Sequence, residues 1–323
     1  MFLKRLLFLG LALCLHATTA SAQFAFYHFF SFDVIRPQPL VVLLQEENPK
    51  ELRKLADKPQ ELADYKAYIA YYNKQIQLLA PQYWKFSPSV EFRPESALKE
   101  IRAAKGKRTV VLRYETHTNG ASTGGYNSVF MGSRKVASME LTTPGSGDQN
   151  LEWSCPAPLD LMYPSDIIFA LKNIQLMLEK DLKRKTRYDA GVPRRDIEQQ
   201  ERADALVANQ ADAALIRTRT LLIAEADLSP KLTAEDIKQL YPYPFQVVPR
   251  ATIEAAVQAA DTRYTYVRRM SQSVEVIGPY LIDAATSRTL AIANTSGVGG
   301  SKHELLNKDD FKIFTAYVRK HEQ

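Results

Sequence analysis

The sequence predicts an α/β fold, or α+β, made of two tandem related units, each running β-α-β-α-β-β-β-α around a mixed sheet. Three observations predict it. Val90 to Arg113 (VEFRPESALKEIRAAKGKRTVVLR) aligns without a gap on Phe245 to Arg268 (FQVVPRATIEAAVQAADTRYTYVR), 155 residues on. Pro94, Ala104, Arg108 and Arg113 meet Pro249, Ala259, Arg263 and Arg268, while Phe92, Leu98 and Val110–Leu112 meet apolar or aromatic-rich counterparts. A short apolar run precedes each block, LVVLL at 40–44 and TLLIA at 220–224. Tyr126–Ala137 (YNSVFMGSRKVA) also aligns on Tyr280–Ala291 (YLIDAATSRTLA) at an offset of 154, which predicts a second repeated block, a hairpin.

The first 22 residues read as a secretory signal. Lys4 and Arg5 precede the apolar run Leu6–Leu15, and Ala20-Ser21-Ala22 is an A-x-A cleavage site. The expected mature chain begins at Gln23 and is periplasmic or released. Lys4 and Arg5 leave with the signal, taking 42 basic against 36 acidic residues to 40 against 36, a charge of +4. That mild bias in an exported chain calls for no nucleic acid. No later run is apolar enough to cross a membrane. Cys14 lies in the signal, so Cys155 stands alone and is expected to be buried.

Gln23–Ile35 alternates aromatic residues (Phe24, Phe26, Phe30, Phe32), as in a strand with one buried face, and Pro37 and Pro39 end it. Leu40–Leu44 is a buried strand. After Lys58-Pro59, Leu62, Tyr65, Ile69, Tyr72, Ile76 and Leu79 form one stripe of a helix that Pro81 closes. The strand 90–93, the helix Glu95–Ala104 stopped by Gly106 and the strand 109–114 follow. Residues 126–131 and 135–141 read as a hairpin about Gly132-Ser133, and 144–164 as a loop or short strand. A helix then starts near Asp166 and buries Ile167, Ile168, Leu171, Ile174 and Leu178 on one face. The first unit is expected over 23–182, a charged helical linker over 183–217 and the second unit over 218–323. The second unit repeats the order, with a hairpin from 274–282 and 289–294, the Gly-rich loop 296–301 and a last helix carrying Phe311, Phe314 and Val318.

Catalytic patterns are scarce. The mature histidines His28, His117, His303 and His321 stand at no metal-ligand spacing, and no G-x-S-x-G occurs. SGVGGSK at 296–302 has the wrong order for a P-loop. No cofactor or metal is expected. Glu225 and Asp227 follow a predicted strand, where α/β proteins place active groups, and Glu46 and Glu47 hold the same place in the first unit. These four are the candidates for cation binding or acid–base work, with solvated loop acids as the plainer meaning. Lys183, Arg184, Lys185, Arg187, Arg194 and Arg195 form a basic group that could meet an acidic polymer or lipid head group, with a solvated helix end as the plainer meaning.

FQVVPRATIEAAVQ, TYVRRM and YLIDAATSRTLAIA together resemble the exported α/β domain in the N-terminal part of TolB. Similar domains occur in outer-membrane activators of penicillin-binding proteins and in the curli secretion channel. The resemblance covers residues 220–294 best, and propeller repeats, a lipidated cysteine and a membrane hairpin are absent from the sequence. It implies a non-enzymatic binding or scaffold module of a bacterial cell envelope, with a protein or polymer partner and room for a homo-oligomer. The alternative is a secreted hydrolase using carboxylates between the two halves. A structural subunit docking through its aromatic start is a third.

Overall fold

The computed structural model describes residues 35–104, 109–119, 134–144, 152–158, 160–271, 277–293 and 305–322. The signal and cleavage site, the aromatic segment up to residue 34, Gly106, the strand at 126–131, the loop 296–301, His28 and His303 lie outside them.

The first unit contains β1 (Leu40–Leu44), α1 (Pro49–Lys54), α2 (Pro59–Tyr83), β2 (Val90–Pro94), α3 (Leu98–Ala103), β3 (Val110–Asn119), β4 (Arg134–Thr142), β5 (Glu152–Pro156) and α4 (Pro164–Asp189). After α5 (Arg194–Thr218), the second contains β6 (Thr220–Ala224), α6 (Ala234–Leu240), β7 (Phe245–Val248), α7 (Arg250–Gln258), β8 (Tyr264–Ser271), β9 (Ile277–Asp283), β10 (Thr289–Ile292) and α8 (Lys308–His321). The fold is mixed α/β with two five-stranded sheets, ordered β2-β1-β3-β4-β5 and β7-β6-β8-β9-β10. The three strands at the start of each order are parallel and the remaining pairs antiparallel.

The repeat extends to register. Leu40 pairs with both Val90 and Val110. Leu221 pairs with both Phe245 and Thr265. Those partners are the residues that the 155-residue offset equates. The hairpin block does not survive. Arg113 pairs with Glu140 and Arg268 with Tyr280, so Glu140 and not Tyr126 is the counterpart of Tyr280. Lys135–Leu141 lie in β4, between β3 and β5, while Gly132-Ser133 and the other expected arm, 126–131, lie outside the described residues. The physical reason is the connection: β3 ends at Asn119 and β4 starts at Arg134, whereas β8 and β9 are joined across residues 272–276. An insertion there breaks a constant offset.

Several elements shift from their expected limits. Pro59 takes the first turn of α2, where a missing N–H costs nothing. Pro81 lies inside the last turn, and the helix ends two residues beyond it at Tyr83. Glu95–Ala97 forms a 3-10 turn before α3. The region 144–164 supplies β5. The expected limit at residue 182 falls within α4, and α5 is a continuous helix. It packs on the second unit through Ala213 and Ile216, while Arg202–Val207 are exposed all round. Gly191, at φ 78°, turns the chain between α4 and α5 in the left-handed conformation that glycine allows.

Alternation in the strands sends successive side chains to opposite faces. In the second sheet, Leu221, Ile223, Val267 and Leu281 face α5, α6 and α8. Leu222, Ala224, Tyr266 and Ile282 face α7 and α4. In the first sheet, Leu40, Val42, Leu112 and Met139 face α2 and the same α4, while Val41, Leu43 and Val111 meet α3. Helix α4 therefore belongs to both cores. Its first eight residues, Pro164–Leu171, are all buried rather than one stripe of them. Phe169 meets Tyr280 of β9 edge-on, with ring centroids 6.3 Å apart. Asn173 Nδ2 donates to the Ser287 carbonyl at 2.8 Å, and Gln175 Nε2 to the Tyr83 carbonyl at 2.8 Å. The Ser271 amide donates to the Ala157 carbonyl at 2.9 Å, bridging the end of β8 to the chain just after β5.

Gly278 marks a tight approach within the second sheet. A Cβ there would stand 2.7 Å from the Ala293 carbonyl oxygen, a backbone atom with no rotamer to yield. Gly278→Ala is expected to cost about 1–3 kcal/mol, read as a lower urea midpoint with unchanged m-value.

Candidate functional site

Strand β8 carries two adjacent arginines in a largely buried run whose other residues are uncharged. Pleating sends them to opposite faces, and each must then find a buried partner. Arg269 points to the α8 side, where Nη1 lies 3.4 Å from Asp310. Arg268 points to the α4 side, and there the largest charged group of the described residues assembles.

The Arg268 guanidinium is almost wholly buried, at 3% side-chain exposure. It donates to Asp160 through Nη1 and Nη2 at 3.1 and 2.6 Å and to Asp166 through Nε at 3.2 Å. Nη2 also donates to the Leu161 carbonyl at 3.0 Å. Asp227 Oδ1 stands 3.6 Å away and pairs in turn with Arg250. The Tyr163 ring lies 5.0 Å from the Arg250 guanidinium carbon and 5.4 Å from that of Arg268, within cation–π reach of both. Burial opposes the Arg268 charge, but Asp166, Asp160 and Asp227 outweigh it and hold its pKa above the usual arginine value. Burial pushes the Asp166 carboxyl up, and Arg268 and the Tyr163 amide draw it back.

Local sequence explains the convergence. Tyr163-Pro164-Ser165-Asp166 starts α4, with proline in its first turn. Asp166 accepts from the Tyr163 amide at 3.0 Å, so it caps its own helix while holding Arg268. The Ser165 amide and Oγ both donate to Glu254 of α7 at 2.7 Å. A residue of the second unit thus caps a helix of the first, where the positive end of the helix dipole favours a carboxylate. Burial lifts the Glu254 pKa to about 6, with the Ser165 hydrogen bond opposing it. Tyr68 and Tyr71 of α2 and Tyr266 of β8 complete the surroundings, for their phenols feel these carboxylates.

Of the four sequence-predicted carboxylates, only Asp227 belongs to this group. Glu225 is exposed at the same strand end. Glu46 accepts from the Ser96 amide at 2.5 Å and so caps the turn before α3. Glu47 pairs with Lys66 at 3.3 Å on the surface. Glu46, Glu47 and Asp227 have separate partners, and no bond joins any of the four to another. Among the described residues no set of three His, Cys, Asp or Glu side chains is arranged to hold a metal ion. The basic residues divide similarly. Arg184 pairs with Glu201 at 3.1 Å, Lys185 with Asp189, and Arg194 with Glu198 at 2.7 Å. Lys183, Arg187 and Arg195 make no ion pair among the described residues and remain at the α4–α5 turn. Cys155 is buried, and burial raises its thiol pKa well above the ordinary value.

Arg250, Glu254, Asp160, Tyr163 and Ser165 escape the sequence reading. The signal was present for one member: a guanidinium within YTYVRRM cannot be buried without an anion. Nothing in the sequence says which anion.

No family model, curated protein or solved structure matches this chain.

Proposed function

We propose that this chain is an exported, non-enzymatic binding or scaffold protein of a bacterial cell envelope, presenting two α/β units to a protein or polymer partner. The observation that carries this reading is the use made of the charges between the units. Asp160, Asp166 and Asp227 are bound to Arg268 or Arg250, and Glu254 to Ser165. Asp160 and Asp166 of the first unit hold Arg268 of the second, and Glu254 of the second holds Ser165 of the first, so these groups join one half to the other, while Asp227 pairs with Arg250 inside the second unit. The resemblance of residues 220–294 to the TolB-type envelope domain supports the same reading, as does the signal-like start.

Lys183, Arg187 and Arg195 supply the binding surface in this proposal, because the other three bases of the group are paired. The probe is lipopolysaccharide, an anionic envelope polymer. Saturable binding that weakens with salt, and falls at least about tenfold in the Lys183→Glu/Arg187→Glu/Arg195→Glu variant, is the expected result. Binding equal in the variant and the parent removes these residues from the partner surface. The hydrolase alternative draws on Asp227, which stands 3.6 Å from Arg268, the residue that reaches across to Asp160 and Asp166 of the first unit. Ester or glycoside turnover abolished by Asp227→Asn in a folded chain would favour it.

A further inference from the structure

We propose that the contact between α7 and the start of α4 is a proton-operated latch, closed when Glu254 carries a proton and loosened when it loses it. The geometry gives Glu254 a position unlike its neighbours. Four carboxylates meet at this junction, Asp160, Asp166, Asp227 and Glu254, against two guanidiniums, Arg250 and Arg268. Asp160 and Asp166 are bonded to Arg268, and Asp227 to Arg250. Glu254 makes its hydrogen bonds to the neutral Ser165 alone. Asp160 is 60% exposed and keeps its charge in water, so the buried acids Asp166, Asp227 and Glu254 exceed the two guanidiniums by one negative charge, and neutralising an ion-paired acid would orphan a buried guanidinium. Glu254 is the group that can be neutralised without breaking an ion pair.

The groups facing Glu254 are known from every side. Ser165 and Asp166 come from α4, Arg250 from its own helix, Tyr71 from α2 and Tyr266 from β8. Burial, aided by Asp166, opposes ionisation of Glu254, and the Ser165 hydrogen bonds and Arg250 favour ionisation without outweighing it. A carboxyl whose pKa is about 6 when the junction is closed, against the ordinary 4.5 when open, stabilises the closed form fully below 4.5 and loses that stabilisation as pH rises through about 6. The difference corresponds to at most about 30-fold in the opening equilibrium.

The test is amide exchange on the full chain, because the Ser165 amide donates directly to Glu254. After correction for intrinsic rates, protection of the Ser165 amide should fall by about 10- to 30-fold between pH 4.5 and 7.5. It should be flat in Glu254→Gln, which keeps an acceptor for the amide and a donor for the hydroxyl. Equal protection at both pH values, or an unchanged pH response in Glu254→Gln, overturns the latch. Should that variant not fold, carbon-13 titration of the glutamate carboxyls in the unmodified chain decides. One side chain titrating near 6 supports the proposal, and all of them titrating below 5 refutes it.

Discussion

Replacing Arg268 by alanine is expected to lower the unfolding free energy by about 3–5 kcal/mol at neutral pH, read from urea denaturation. The size follows from what stays behind rather than from what is lost. Asp166 is fully buried, and without Arg268 it becomes a buried carboxylate held only by the Tyr163 amide. Asp160 is 60% exposed and can return to water, so it contributes little to the penalty. Arg268→Ala/Asp166→Asn should therefore recover a good part of the loss, whereas Arg268→Ala/Asp160→Asn should recover almost none. Equal recovery by the two second-site changes would show that Asp166 is not the residue left stranded. The Arg268→Ala defect should also ease at low pH, since the stranded carboxyl then takes a proton.

Phe169→Ala should cost about 3–5 kcal/mol and should weaken both halves together. The ring is 1% exposed and stands in the core that joins the two sheets. Its edge-on contact with Tyr280 adds an aromatic pair to the burial. Since α4 contributes to both cores, the two units are expected to unfold in one transition in the parent and in the variant. Tryptophan fluorescence follows the first unit, whose Trp84 and Trp153 are the only two tryptophans in the chain. Far-ultraviolet dichroism follows both. Coincident midpoints are expected, and a first-unit transition separated from the dichroism would show that the shared helix does not couple them.

Much of the fold was legible because strand register leaves a trace in spacing. The offset that sets Val90 on Phe245 and Val110 on Thr265 survives as the pairing of Leu40 and Leu221 with those residues. The hairpin identities misled because an insertion between β3 and β4 moved one strand relative to the other. The shared helix was only half legible. Its apolar residues announce one buried stripe, but Ser165 and Asp166 are polar and their burial depends on Glu254 and Arg268, about 90 to 100 residues away in sequence. Periodicity carries no information about partners at that range. Equivalent positions also diverged in use. Arg113 pairs with Glu140 on a neighbouring strand of its own sheet. Its counterpart Arg268 reaches out of its sheet to the start of α4. The strand-end acids behave likewise, with Glu46 capping a turn and Asp227 joining the charge group.

Helix α4 closes the first repeat and also roofs the second, and this makes the two halves dependent on one another. A gene cut ahead of β6 would release a second half whose Tyr266, Ile282 and Met270 lie bare, along with an arginine deprived of its anions. Neither half can be dropped or traded as an independent module without baring the surface that this helix covers.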